Sequence, residues 1–489
     1  MAEKKSRIPG FVGPSYVARA GRFDCQRLVN MYLEMDQLGA GKGNEPAVMI
    51  STPGLELLQA VGTGPIRAVY TLSNQQLMYV VSGSEVYQLA AGSATPVHCS
   101  GTLTTSTGPV SVADNGIDLL MVDGHNGYSM TIGSTALVKV VSPNFYPADV
   151  VSFQDGFFLL NRKGTPYFFW SDLYAVTFPG ENLAAKSGNS DILIAAYSNN
   201  REVHLFGANT METWWLDGQN AVTPFSRQDG KNSQFGCASP HSIARVGETL
   251  VWLGSNAQGG GVVYQLQGGS PVRISTHAVE FAIQGLTSLA NAVGYGYQQE
   301  GHFFYCLNIP GSSTTWCYDI STEQWHERQT TVKGVIGRHL GQTHCVLNGQ
   351  HIIGDYASAN IYAYNLDCYT DNGGSRYKMR QTPHISESLK RIFFKLFELD
   401  CQFGVGLVEN GQNPENDVAP RVVLEISNDG GQTWSNPIYA SMGRMGQWRY
   451  RARWSRLGSS RDRVFRVSIT DNVKVQLLSA FIDAEEGMA

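Results

Sequence analysis

The chain has 489 residues and carries 36 Lys and Arg against 41 Asp and Glu, a formal charge of −5. That length accommodates two or three domains with a sizeable core, and the mild acidity excludes a general nucleic-acid binder. Only 16% of residues are charged, while 53 Gly, 22 Tyr and 21 Phe favour many short strands joined by tight turns.

Residues 1–60 read as an irregular arm. Ile8-Pro-Gly-Phe-Val-Gly-Pro14 and Ser51-Thr-Pro-Gly-Leu55 are punctuated too often for a long helix. Between them, Arg27-Leu-Val-Asn-Met-Tyr-Leu-Glu34 suits a strand or one helical turn. The start, Met-Ala-Glu-Lys-Lys-Ser-Arg, has no apolar run behind it, so no signal peptide is expected. No window approaches 18 uncharged apolar residues, so no membrane-spanning segment is expected.

From residue 61 to 367 a loose repeat recurs every 35–45 residues or so, in the range of propeller blades. The first unit reads Ile66-Arg-Ala-Val-Tyr, Leu77-Met-Tyr-Val-Val, Glu85-Val-Tyr-Gln-Leu. A later one reads Ser242-Ile-Ala-Arg-Val, Leu250-Val-Trp-Leu, Val262-Val-Tyr-Gln-Leu. Another reads Phe303-Phe-Tyr-Cys-Leu, Thr315-Trp-Cys-Tyr-Asp, Gln324-Trp-His-Glu, and the last starts at Val335-Ile-Gly-Arg-His. Six or seven such units predict an all-β propeller, a ring that protects its sheet edges.

From residue 368 to 489 the pattern changes to a separate β-sandwich-like docking domain. Ser386-Glu-Ser-Leu-Lys-Arg-Ile-Phe-Phe suits a helix start or a strand, and a polar Pro/Asn loop lies between Asn410 and Ala419. The stretch Trp448-Arg-Tyr-Arg-Ala-Arg-Trp-Ser-Arg456, read with period two, sends Trp448, Tyr450, Ala452 and Trp454 one way and Arg449, Arg451 and Arg453 the other. With Arg456, these arginines have three readings: acids of a neighbouring subunit, DNA phosphates, or a solvated face. Ser427-Asn-Asp-Gly-Gly-Gln-Thr-Trp434 fits the Asp-box pattern. Ser427, Asp429, Gly431, Thr433 and Trp434 are expected to brace a hairpin, since a turn motif carries no catalytic carboxylate pair.

Eight scattered cysteines without C-x-x-C pairs read as reduced thiols of a protein folded in a cytosol. His339, His344 and Cys345 are close in sequence, but no second cluster completes a tetrahedral metal site. No nucleophile elbow or phosphate loop is present, so no enzyme, no cofactor and no metal are expected.

The order and spacing of several pieces resemble the packaged-DNA stabilisation proteins of short-tailed bacteriophages, also called tail hub or nozzle proteins. At the start these are Phe11-Val-Gly, Arg27-Leu-Val-Asn-Met-Tyr-Leu-Glu34 and Thr52-Pro-Gly-Leu55. In the middle they are Phe153-Gln-Asp-Gly-Phe-Phe, Phe168-Phe-Trp-Ser-Asp172 and Leu205-Phe-Gly-Ala-Asn-Thr-Met-Glu-Thr-Trp-Trp215. At the end they are Arg451-Ala-Arg-Trp-Ser-Arg-Leu-Gly458 and Arg461-Asp-Arg-Val-Phe. The resemblance implies a non-enzymatic virion part, assembled in the host cytoplasm and located in the tail. It implies a homo-oligomeric ring, usually a hexamer, below the portal and adaptor rings. Such a ring extends the DNA channel, passes DNA without sequence specificity, and holds tailspikes or fibres and a needle or plug. The alternative reading is a carbohydrate-binding or carbohydrate-cleaving propeller, which needs carboxylates and exposed aromatics gathered at one propeller mouth.

Overall fold

The computed structural model describes residues 5–36, 46–218, 224–407 and 419–487, so the loop expected between Asn410 and Ala419 lies outside them up to residue 418. Seven sheets follow one another from Ile66 to Asn365, each of about four strands, and these are the seven blades of a β-propeller. Blade one shows the local logic. Leu77–Ser82 and Glu85–Ala90 are joined by a two-residue turn in which Gly83 takes φ +57°, the left-handed geometry tight hairpins need. Its central strand is apolar on both faces because each face meets another blade. Met78 and Val80 pack with Ile352 and Ile361 of blade seven, while Tyr79 and Val81 pack with Leu119 and Met121 of blade two. Ring closure therefore explains why these strands read as unbroken apolar runs.

Two features of the ring differ from the repeat read in the sequence. Val335–Arg338 does not open the last blade. Lys333 (φ +49°) and Gly334 (φ +82°) turn it back onto Gln324–Val332 of blade six, and blade seven starts at Gly341–Leu347. Blade seven also takes its fourth strand from the arm. Gly54–Ala60 pairs antiparallel with Asn360–Asn365, so the two ends of the ring are stitched together by a strand from before the first blade.

Two further arm strands serve the sandwich. Met31–Met35 and Ala47–Ser51 join Gln476–Glu486, Ile392–Cys401 and Ala452–Ser455 in one sheet. Ser386-Glu-Ser-Leu-Lys-Arg thus leads into a strand, not a helix. The facing sheet contains Lys378–Gln381, Asp462–Ile469, Arg421–Ser427 and Ile438–Ser441. Phe394, Phe397, Trp454 and Phe465 fill the space between the two.

The propeller and sandwich are not joined by a loose tether. Cys25–Val29 pairs on one side with Lys378–Gln381 of the sandwich and on the other, at Val29, with Glu327 of blade six. One continuous sheet therefore runs from blade six through the arm into the sandwich. Asn30 sits at the crossing, buried, with φ +54°. Its Nδ2 donates to the Gln329 and Tyr377 carbonyls, each at 2.8 Å, and its Oδ1 accepts from the Gln329 N–H at 2.9 Å. Arg380, fully buried, pins the preceding loop by donating to the carbonyls of Gly10, Phe11, Pro14 and Arg27 and to Gln26 Oε1.

Candidate functional site

The arginine-rich stretch lies at an open edge of the sandwich. Ala452–Ser455 is an edge strand on Leu396–Leu399, with Ala452 and Trp454 in the core and Arg453 facing out. The strand does not reach back to Trp448 as the period-two reading expects. Gly443 (φ +80°) and Gly446 (φ +82°) curl residues 442–451 into successive turns, closed by Gln447 N–H on the Arg444 carbonyl and Tyr450 N–H on the Gln447 carbonyl. Trp448 is consequently 64% exposed and Tyr450 39% exposed, outside the core that Ala452 and Trp454 enter. The Trp448 ring instead lies over Gly404, where an added Cβ would meet it at 3.0 Å.

These side chains wall a cleft of about 750 Å³ with Phe403, Asp400 and Glu398. Glu398 is its electrostatic centre. Lys5 reaches it at 2.8 Å, Arg453 at 3.1 Å and Arg451 at 3.2 Å. Burial alone would raise the Glu398 pKa; the bonds from Lys5 and Arg453 hold it below the usual carboxylate range. Glu398 thus faces three cations, Asp400 adds a second carboxylate beside Arg451, and Arg449 adds a fourth cation with no ion-pair partner among the described residues. Arg456 stands apart at the strand's end with φ +61° and is exposed. Exposed aromatics beside surplus guanidinium are the chemistry of protein-docking hot spots. The sequence pattern identified the arginines but not Glu398 or Lys5, which come from distant strands.

The Asp-box is a closed bonding unit. Asp429 accepts from the N–H groups of Gln432 and Thr433 and from the Thr433 hydroxyl, and Ser427 Oγ bonds Asp429 at 2.7 Å. The Thr433 bonds, hydroxyl first and then backbone, push the Asp429 carboxyl far below its ordinary value. Gly430 and Gly431 supply positive φ, and Trp434 Nε1 returns to the Gly431 carbonyl at 3.1 Å. Arg466 lies 4.0 Å over the Trp434 ring and forks onto Glu425 with two 2.7 Å bonds. The Ser427, Asp429, Thr433 and Trp434 side chains are spent within the hairpin, while Asn428 Oδ1 accepts from Arg463 Nε at 3.0 Å.

The propeller axis holds a cavity of about 240 Å³ lined from all seven blades, including Arg67, Tyr70, Val110, Val150, Tyr197, His241, Tyr295 and His344. At about 30 Å³ per water it holds only a handful of them, so duplex DNA does not thread a propeller. One mouth opens into a depression of about 630 Å³ with exposed Tyr174. Its lining includes one carboxylate, Asp114, already bonded to the Tyr70 hydroxyl at 2.6 Å and the Gly116 N–H at 3.0 Å. His339 and His344 do not converge. Burial depresses both pKa values, that of His344 to about 3, and His344 instead contacts His351 at 3.0 Å. Among the described residues no cluster of three or more His, Cys, Asp or Glu is placed to hold a metal ion, and no helix is long and apolar enough to cross a membrane.

By sequence the chain matches the phage stabilisation family described as bacteriophage P22 Gp10, beta-propeller, over residues 6–369. It also matches the family described as bacteriophage P22 Gp10, beta-sandwich, over residues 377–485. No curated protein matches the chain. Three solved structures are among those that match. YCF48 bound to a D1 peptide is 12% identical, covering 64% of this chain and 98% of its own, with a TM-score of 0.39. The computationally designed Ika8 protein is 12% identical over 70% and 99%, with a TM-score of 0.37. A chain of the mitotic checkpoint complex is 11% identical over 67% and 99%, with a TM-score of 0.40.

Proposed function

The chain belongs to the bacteriophage P22 Gp10 family of phage stabilisation proteins, and from that membership we propose that it is the hub, or nozzle, of a short phage tail. In this reading copies of the chain close a ring, usually six, below the portal and adaptor. The ring extends the DNA channel, helps retain packed DNA and anchors other tail parts. The observation that carries it is the single sheet that runs from blade six through the arm into the sandwich. Packed DNA pushes on whatever closes its exit. A part that resists must transmit load between its domains without hinging, and a shared hydrogen-bonded sheet does so. The DNA path is the axis of the ring, because the propeller's own axis is too narrow. In this reading the DNA path of a chain with formal charge −5 carries little positive charge to grip phosphates.

In this proposal the cleft of Arg449, Arg451, Trp448 and Tyr450, with Arg453 and Arg456 beside it, docks an acidic face of a neighbouring subunit or adjoining ring. Arg451 and Arg453 are partly engaged by Glu398, so Arg449 and Arg456 are the sharper probes. Arg449→Ala with Arg456→Ala removes two exposed charges and leaves the Glu398 cluster intact. The double variant is expected to keep the wild-type melting temperature and to bind portal–adaptor complexes at least tenfold more weakly, since desolvated charge pairs are each worth about 1.5 kcal/mol or more. Wild-type attachment by that variant would show that docking uses another surface.

A further inference from the structure

Blade six holds a buried cation with no carboxylate beside it among the described residues. Arg328 is 1% exposed and its donors end on neutral groups: the Tyr297 hydroxyl, the Tyr364 hydroxyl at 3.4 Å and His326 Nε2 at 3.3 Å. Its charge also acts on two thiols. Cys306 and Cys317 are directly opposed on the antiparallel strands His302–Asn308 and Thr315–Asp319, both fully buried, with their sulfurs 3.3 Å apart. We propose that Cys306 and Cys317 form an oxidation site that closes a cross-strand disulfide, with hydrogen peroxide as the two-electron oxidant.

The geometry is already near the product. Directly opposed residues of an antiparallel pair have Cα atoms about 4.5–5.5 Å apart, inside the roughly 4.4–6.8 Å window of disulfides. The electrostatics favour one thiolate and one thiol. Burial raises the Cys306 pKa, but the hydrogen bond from Cys317 and the Arg328 charge bring it down to about 7, while burial drives Cys317 well up. The Cys306 thiolate attacks one peroxide oxygen. The O–O bond breaks, the departing hydroxide takes up a proton as water, and Cys306 becomes a sulfenic acid. The Cys317 sulfur then attacks the Cys306 sulfur. The S–O bond breaks, and hydroxide leaves with the Cys317 proton as a second water. Two thiols and one peroxide become one disulfide and two waters. Peroxide is close to water in size, and Tyr295, which bonds Cys306 on one side, lines the axial cavity on the other. A bulky disulfide oxidant has no such route to fully buried sulfurs. The chemistry stands apart from the hub reading, although a virion part leaving a reducing cell would meet such an oxidant.

The test treats the folded full-length protein with hydrogen peroxide or with oxidised glutathione, then blocks free thiols and maps chymotryptic peptides without reductant. Peroxide is expected to remove two hydrogens from the intact mass and link the Cys306 and Cys317 peptides, reversibly with dithiothreitol. Oxidised glutathione is expected to do neither. Cys317→Ser should stop at a sulfenic acid on Cys306, which dimedone traps when the peroxide is quenched and the protein is then unfolded in its presence. Arg328→Met, if it folds, should slow the reaction about tenfold or more by removing the charge that favours thiolate. A folded wild-type protein that gives no 306–317 link with peroxide, or links other cysteines instead, overturns the proposal.

Discussion

Replacing Arg380 with Met should free the N-terminal loop while leaving the propeller intact. Met keeps most of the aliphatic volume and removes every donor. Five acceptors lose their partner: four carbonyls at 2.6–3.3 Å and Gln26 Oε1. Only the bond to the Phe11 carbonyl is wholly enclosed, and a buried acceptor left unmet costs about 1–3 kcal/mol. The others are part-buried, so water re-solvates them and each costs about 0.5–1.5 kcal/mol. Against this stands the relief of no longer burying a guanidinium, whose pKa burial lowers to about 9. The balance is about 3 kcal/mol, which is roughly a hundredfold in the opening equilibrium of the loop. Amide hydrogen exchange reads this directly. Residues 10–29 should exchange about a hundredfold faster, Arg19 and Arg22 should become sensitive to trypsin, and blade-two amides should be unchanged. Wild-type protection of residues 10–29 in the variant would refute the assignment of Arg380 as the arm's anchor.

Three further outcomes follow from single contacts. Asn30→Ala deletes three hydrogen bonds, two of them buried, and puts Ala at φ +54°, so denaturant unfolding should lose about 2–4 kcal/mol of stability. Gly54→Ala places a Cβ 2.2 Å from the Cys368 carbonyl and 2.6 Å from that of Thr370; it should loosen the closing strand of blade seven and lower the melting temperature by several degrees. The Asp319 hydrogen bond raises the His302 pKa above its ordinary 6.5. Its stabilisation is therefore fully present below pH 6.5 and fades as pH climbs through the raised value, so His302→Gln should cost more in a melt at pH 5.5 than at pH 8.5.

Periodicity and turn chemistry carried the fold class. Strands such as Leu77–Ser82 announce themselves by composition, and glycine turns mark their ends. What stayed hidden was pairing between residues far apart in sequence. Nothing local in Gly54-Leu-Glu-Leu-Leu-Gln-Ala says that it closes a ring three hundred residues later, and nothing in Cys25–Val29 says that it joins two domains. The last blade was misread because Val335–Arg338 is as strand-like as the true inner strand; only the Lys333-Gly334 turn distinguishes it. At the Glu398 cleft the arginines were legible and their local balance was not. The alternation from Trp448 looked regular, but Gly443 and Gly446 break it, and Glu398 approaches from another strand. The pairing of Cys306 with Cys317 likewise depends on hairpin register, which the eleven-residue spacing leaves open.

Blade six, arm and sandwich share one sheet, and in the proposed hub they form one rigid body that assembles into a collar at the capsid exit. Electron microscopy of the purified wild-type protein mixed with its portal–adaptor complex puts that arrangement to its most direct test. The expected image is a closed ring of copies seated beneath the adaptor, each copy showing propeller and sandwich at one fixed angle. A monomer that never joins the complex, or copies whose two domains take widely different angles, would contradict it.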